Sequence, residues 1–340
     1  MNKIAVDMGS GLTKIYMPGC GVVLVEATCI AVEEYKEGGE KKIAVKAYGD
    51  KARALSGRAA QNTRIVNPVY EGDIVSEELA VWLFEYFLEK IEITHKKAKR
   101  TEVVFILPCG VNSDVRQKYL RLAQSCRIPT VYFTLTPFAA VLGHNIAISE
   151  SLPMFSLDIG QSMANIAAFS QDGIIYGLSV SVGGGHIDTA IIDEVASRFN
   201  LRIGTLTSER IKNSVGSLLP DDNKMTIADG RDLDTGVPTS VAVYSSEIYD
   251  VITSHVDTIL EYVAIVLSKL PAEVASSVMR GGIYVSGGLF KMDGLIEYVE
   301  DKLGIPVNLP EEVQLAQVIG GGTILASDTL LEKFSTEEDS

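Results

Sequence analysis

Val6-Asp7-Met8-Gly9-Ser10-Gly11 reads as the end of a short strand, an aspartate and a glycine-bearing turn. Leu157-Asp158-Ile159-Gly160-Gln161-Ser162 repeats that order roughly 150 residues on, a little under half the chain. Lys3–Val6 and Thr13–Met17 flank the first turn as a hairpin with a tight tip. Around the second, Phe155–Ile159 runs into Ile166–Phe169, and Gln171-Asp172-Gly173 turns the chain into Ile174–Val182. A duplication of this length implies two similar domains facing each other.

Outward from these hairpins, helical and strand patterns alternate. β-rich sequence continues through Val25 and Ile30–Val32, followed by a polar stretch at Glu33–Lys42. Ser76 is a candidate N-cap, with Glu77 and Glu78 in the first turn where the helix dipole favours anions. Ala80, Leu83, Phe84, Phe87, Leu88 and Ile91 form the apolar stripe of the helix it opens, with Trp82 beside them. Val103–Leu107, ended by Pro108, has the look of a buried strand, and Val131–Thr134 is another. Between them, Ser113–Cys126 has helical spacing, and Pro137 stands where it could open a helix. In the second half, helices are predicted from His186 to Phe199 and from Ser246 to Leu270, then a strand Ile283–Ser286. The alternation argues an α/β fold.

Composition narrows the function. With 46% hydrophobic and 22% charged residues, 340 residues can bury two sizeable cores. Thirty Lys+Arg against 44 Asp+Glu give a net charge of −14, which repels phosphate backbones, so nucleic acid is not an expected partner. No apolar run reads as a membrane span, and the start of the chain lacks the apolar core of a signal peptide. Cys20, Cys29, Cys109 and Cys126 form no CxxC pair, and the four histidines have no metal spacing. A cytoplasmic protein without structural disulfides or zinc is the expectation.

The chemistry-bearing residues gather at glycines. Backbone N–H groups of a tight turn can line a phosphate when no side chain blocks the approach. Ser10, Gly11 and Leu12 are candidates, with Gly9 shaping the turn and Lys14 a nearby cation. Asp7 and Asp158 could hold Mg²⁺ through water, since Mg²⁺ keeps much of its hydration shell on a triphosphate. Gly160, Gln161 and Ser162 form the corresponding second tip. Ser286-Gly287-Gly288 ends a strand, either as a plain turn or as flat backbone beneath an adenine, and Gly183-Gly184-Gly185 offers another close approach. Glu209 and Lys212, three apart on a helix behind Thr207-Ser208, are a surface ion pair, or in a nucleotide cleft the Glu209 carboxylate binds ribose hydroxyls, with Lys212 among the candidate nucleotide-binding residues.

Taken together, Asp7–Gly11, Asp158–Gly160 and Ser286–Gly288 resemble the phosphate-1, phosphate-2 and adenosine motifs of the superfamily of actin, heat-shock chaperones and sugar kinases. Within it the chain is most similar to the MreB family of bacterial actin homologues. Met17–Leu24, Glu71–Val75, Pro108–Gly110, Ser208–Lys212, Thr235–Pro238 and Gly304–Val307 carry that resemblance, in order, over nearly the whole length. It implies an actin-like fold of two RNase H-like domains with small subdomains around an ATP·Mg²⁺ cleft. Domain I would cover 1–145, with 310–331 returning to it and a small subdomain near 30–70. Domain II would cover 146–309 with a small subdomain near 185–245, leaving 332–340 as a frayed acidic tail. The implied ligands are ATP or ADP and Mg²⁺, held by the residues named above. The implied partners are further copies in a filament, a second MreB-type protein and membrane proteins of cell-wall synthesis.

Departures from the pattern bear on turnover. The family places a water-activating Glu before a proline; here that position is Thr136, whose hydroxyl cannot act as a general base at neutral pH. The family's phosphate-2 loop reads Asp-Ile-Gly-Gly-Gly-Thr-Thr, whereas this one reads Asp158-Ile159-Gly160-Gln161-Ser162-Met163-Ala164. Both threonines have lost their hydroxyls, so the ATPase activity that the resemblance implies is expected to be slow or absent, unless Gln161 substitutes as the water-orienting residue. Membrane attachment would rest on Ile93 as an apolar wedge beside Lys96, Lys97, Lys99 and Arg100; a solvated connection explains the same residues. The alternative function is a non-polymerising nucleotide-dependent adaptor, and a metabolite kinase is a third.

Overall fold

The computed structural model describes residues 2–37, 40–146, 148 and 152–339. Gly38 and Gly39 of the polar stretch and Ser340 of the tail lie outside the described residues.

Two principal sheets repeat one plan. In the first, Asn2–Met8, Leu12–Met17 and Gly21–Ala27 form an antiparallel meander, and Thr101–Leu107 joins Asn2–Met8 in parallel. Thr130–Leu135 adds a further parallel strand. In the second, Met154–Ile159, Ala164–Ser170 and Gly173–Val180 form the meander. Ile283–Ser286 and Val307–Asn308 extend it in parallel on the other side. Matched hairpins followed by a parallel neighbour put the two aspartates at equivalent places in equivalent sheets.

Register then fixes their companions. Asp7 stands opposite Lys14 in the first hairpin, and Asp158 opposite Asn165 in the second. Directly opposed residues of an antiparallel pair bring their side chains within reach. Each hairpin therefore supplies its own aspartate with a partner, a cation in one and a neutral amide in the other.

Small sheets flank the cleft. Ile30–Glu37, Glu40–Tyr48 and Thr63–Val66 pair beside the short helix Gly49–Arg53, so the described residues of the polar stretch at Glu33–Lys42 are two paired strands, where composition alone suggested only polarity. Leu201–Arg202, Met225–Asp232 and Pro238–Tyr244 form the other, beside the helix Thr205–Val215. That helix starts at Thr205 behind Gly204, ahead of the expected Thr207-Ser208 cap. Ser76 does precede the helix Glu77–Lys90, but its side chain makes no capping hydrogen bond.

Three expectations are corrected here. Ser335–Asp339 pairs antiparallel with Thr130–Leu135, so the tail is an edge strand of the first sheet through Asp339 and not a frayed end. Phe334, buried against Phe138, anchors its approach. Ile93 is 3% exposed within the first core and so presents no wedge, while Lys96, Lys97, Lys99 and Arg100 stay exposed. The helix Ser245–Ser268 is, by length and composition, long and apolar enough to cross a membrane. In this fold its stripe Ile248, Ile252, Val256, Ile259, Leu260, Val263 and Val266 is buried in the core of the second sheet.

Helix Thr136–Leu142 sits between the sheets, touching Thr101–Leu107 on one side and Met154–Ile159 on the other. Helix Ala316–Ala326, late in the chain, crosses it and packs on Asn2–Met8 and Leu12–Met17. Two glycines let the backbones meet. A Cβ on Gly320 would lie 1.8 Å from Ala139 O, and one on Gly143 would lie 2.0 Å from Ala316 O. Neither contact can give, because each meets main chain. Gly320→Ala should therefore destabilise the fold by about 3 kcal/mol, read as a lower urea midpoint; a change within about 0.5 kcal/mol contradicts this packing.

Candidate functional site

The hairpin tips, the Gly287–Gly288 turn and the helices Gly49–Arg53 and Thr205–Val215 enclose one cleft of about 700 Å³, within the roughly 300–1,000 Å³ typical of small-molecule sites. Every residue of the expected set lines it except Gly183, and Thr136 lies at its floor. Gly183 packs behind the wall, where a Cβ would lie 2.7 Å from Gly160 O.

Both tips offer backbone donors. Gly9 N–H donates to Leu12 O at 3.1 Å and Gly160 N–H to Met163 O at 2.9 Å, closing matched turns. Among the described residues, no acceptor takes the N–H groups of Ser10, Gly11, Gln161 or Ser162. Consecutive amides left free in a turn make an anion-binding concavity. Gly184 and Gly185 differ: their N–H groups donate to Gly160 O at 2.9 Å and Gln161 O at 2.7 Å, so these glycines brace the loop with the start of the helix Gly184–Phe199.

The carboxylates differ as the register predicts. Lys14 Nζ donates to Asp7 Oδ2 at 2.6 Å, so Lys14 neutralises Asp7 before it meets any phosphate. Asp158 is buried and takes only neutral donors: Asn165 Nδ2 at 2.9 Å, Ser286 Oγ at 3.1 Å and Gln317 Nε2. Burial pushes its carboxyl above the ordinary range, against the Asn165 hydrogen bond, and the charge of Asp7 adds to the rise. A hydrated dication fits here. Asp7 keeps Oδ1 outside its lysine contact, and cationic charge would offset the burial of Asp158.

Glu209 and Lys212 do not pair with each other. Glu209 meets Arg53 of the opposite small sheet's helix across the cleft mouth. Lys212 Nζ is buried, donating to Asp188 Oδ2 at 2.8 Å and Gly184 O at 2.8 Å, a wall element and not a free cation. Burial raises the Asp188 carboxyl, and Lys212 opposes that rise. Gln161 Nε2 donates to the same carboxylate at 3.2 Å. Thr136 Oγ1 donates to Leu107 O at 3.1 Å. Cys109 is buried, its thiol pushed up to about 12 by desolvation, which suits packing and not attack.

Sequence reading missed Gln317, Asp188, Asn165 and Arg53. Asn165 was recoverable as the residue opposite Asp158 once the hairpin was drawn. The others reach the cleft from distant segments and carry no local signal.

Architecture and site together define an actin-like protein. The profile of the MreB/Mbl protein family matches residues 1–333, and the chain belongs to that family. It is 29% identical over 325 residues to the cell shape-determining protein MreB of Escherichia coli (strain K12), covering 95% of this chain and 93% of that protein. MreB5 of Spiroplasma citri bound to AMPPNP superposes with a TM-score of 0.90 at 25% identity, covering 98% and 97% of the two chains. A MamK double helical filament shares the fold, with a TM-score of 0.75 at 17% identity over 96% of this chain and 99% of that one.

Removing one partner of a buried ion pair strands the other charge. Lys212→Met should cost about 3–5 kcal/mol in urea unfolding, and Lys212→Met with Asp188→Leu should cost less than the single change. A neutral single substitution would show that Lys212 is not a structural cation.

Proposed function

We propose that the protein is a filament subunit of a cell-shape cytoskeleton that holds an adenine nucleotide with Mg²⁺ but hydrolyses ATP slowly or not at all. One observation carries the reading: two equivalent hairpin tips turn four uncommitted N–H groups into a single cleft beside Asp7 and Asp158. MreB5 of Spiroplasma citri, bound to AMPPNP or to ADP, supports a nucleotide there. The dication would sit through water against Asp7 and Asp158, and the adenine on the Gly287–Gly288 backbone. Family membership supports self-assembly, and MamK, a protein of the same fold, is seen as a double helical filament.

What the side chains do supports weak hydrolysis. Thr136 has no carboxylate and directs its proton to Leu107 O. Met163 and Ala164 have no hydroxyl, and the Gln161 amide is turned to Asp188, so it is not free to orient a water. Positioned acid–base groups are worth about 10²–10⁴ in rate, and this cleft lacks the family's pair. A membrane role, if attachment occurs, would rest on the exposed Lys96, Lys97, Lys99 and Arg100 without an apolar wedge.

Purified protein with Mg²⁺ and nucleotide should pellet on centrifugation while releasing little phosphate. Thr136→Glu combined with Met163→Thr should raise phosphate release by on the order of tenfold or more. Brisk release by the unaltered protein would overturn the proposed loss of turnover, and failure to pellet at any concentration or salt would favour the adaptor.

A further inference from the structure

Gln317 reaches from a helix packed on one sheet to two strands of the other. Its helix, Ala316–Ala326, lies on the first sheet. Its Nε2 donates to Asp158 Oδ1 and, at 3.4 Å, to Ser286 Oγ, residues paired in register on adjacent strands of the second. Ser286 Oγ donates to the same Asp158 oxygen at 3.1 Å, so two donors close on one acceptor. Gln317 itself is only 4% exposed. The carboxylate fixes which way its amide faces, because turning it over would set Oε1 against Asp158 Oδ1, oxygen to oxygen.

That orientation leaves Oε1 buried and without a donor among the described residues. A buried acceptor with no donor is costly, so its retention in a folded protein calls for a cause. Two nearby carboxylates have acceptor capacity to spare as well. Asp158 Oδ1 already takes two hydrogen bonds, but Oδ2 takes only that of Asn165 Nδ2 and keeps a lone pair free. Asp7 Oδ1 lies outside the Lys14 contact. Asp7, Asp158 and Gln317 all line the same cleft. Mg²⁺ keeps several of its waters when bound, and those waters turn their hydrogens outward, toward acceptors. Oxygens still lacking a hydrogen are what such an ion requires of its surroundings.

We infer that Gln317 belongs to the cation site: Nε2 holds Asp158 in place, and Oε1 accepts a hydrogen bond from a water carried by the dication. The inference rests on the reading of the cleft as a nucleotide and Mg²⁺ site. Gln317 is a positioning residue in this arrangement, meeting the ion only through water. A water without an ion would satisfy the same oxygen, and the dependence on Mg²⁺ separates the two.

Titration calorimetry of the full chain with ADP, in Mg²⁺ and in EDTA, tests it. The readout is the Mg²⁺ coupling, the dissociation constant of ADP in EDTA divided by that in Mg²⁺. Gln317→Leu should lower the coupling on the order of tenfold, the scale of one hydrogen bond. Gln317→Met carries the same expectation if Gln317→Leu folds poorly. Gln317→Glu keeps an acceptor oxygen in either protonation state, so its coupling should equal or exceed that of the unaltered protein. A side chain that merely packed would not separate these substitutions. Coupling unmoved by Gln317→Leu, or lost equally in Gln317→Glu, overturns the role of Gln317 and leaves the nucleotide site standing. ADP binding by the unaltered protein that ignores Mg²⁺ overturns the cation site, and no ADP binding in either buffer overturns the nucleotide site itself.

Discussion

Two helices meeting main chain to main chain set the geometry of everything else. Thr136–Leu142 lies between the sheets, and Ala316–Ala326 crosses it at Gly320 and Gly143, where no Cβ can be accommodated. That crossing holds the two sheets close enough for their hairpin tips to make contact through Ser10 and Ser162. It also puts Thr136, at the start of the first helix, on the cleft floor. A wider spacing would leave each hairpin an ordinary turn, with amides facing solvent and no common cleft.

Within that spacing, electrostatics divides the cleft unevenly. The first hairpin neutralises Asp7 with Lys14, whereas the second surrounds Asp158 with amide and hydroxyl donors. Asp158 is therefore the carboxylate with most to gain from an arriving cation, since burial disfavours its charge. Lys212 and Asp188 form the wall behind Gln161, and Arg53 with Glu209 bridges the mouth. Charged groups that look like ligands by type are thus mostly committed to one another, and the backbone amides of the tips are left unpaired.

How much of this was legible in the sequence follows from the range of each interaction. The hairpins, their duplication and the Gly287–Gly288 turn are local, carried by an aspartate and glycines at fixed spacing, and so could be read directly. Family resemblance supplied the fold and the departures at Thr136 and Gln161–Ala164. The partners of Glu209 and Lys212 lie on other segments, so the choice between ion pair and ligand could not be made from spacing alone. The role of Gln317 needs the helix crossing to be known, because the residue lies 159 positions from Asp158. The tail misled for a different reason. Its acidic composition suggested solvation, but the open edge of Thr130–Leu135 offers backbone hydrogen bonds that composition does not reveal.

Hydrogen–deuterium exchange with and without Mg·ADP is the decisive measurement, because it reads the free N–H groups at the two tips. Peptides covering residues 7–14 and 158–164 should slow together when nucleotide is added, with the Gly287–Gly288 turn protected alongside them. Protection of one tip without the other, or of neither while nucleotide is bound, would contradict a single phosphate site shared by the two hairpins.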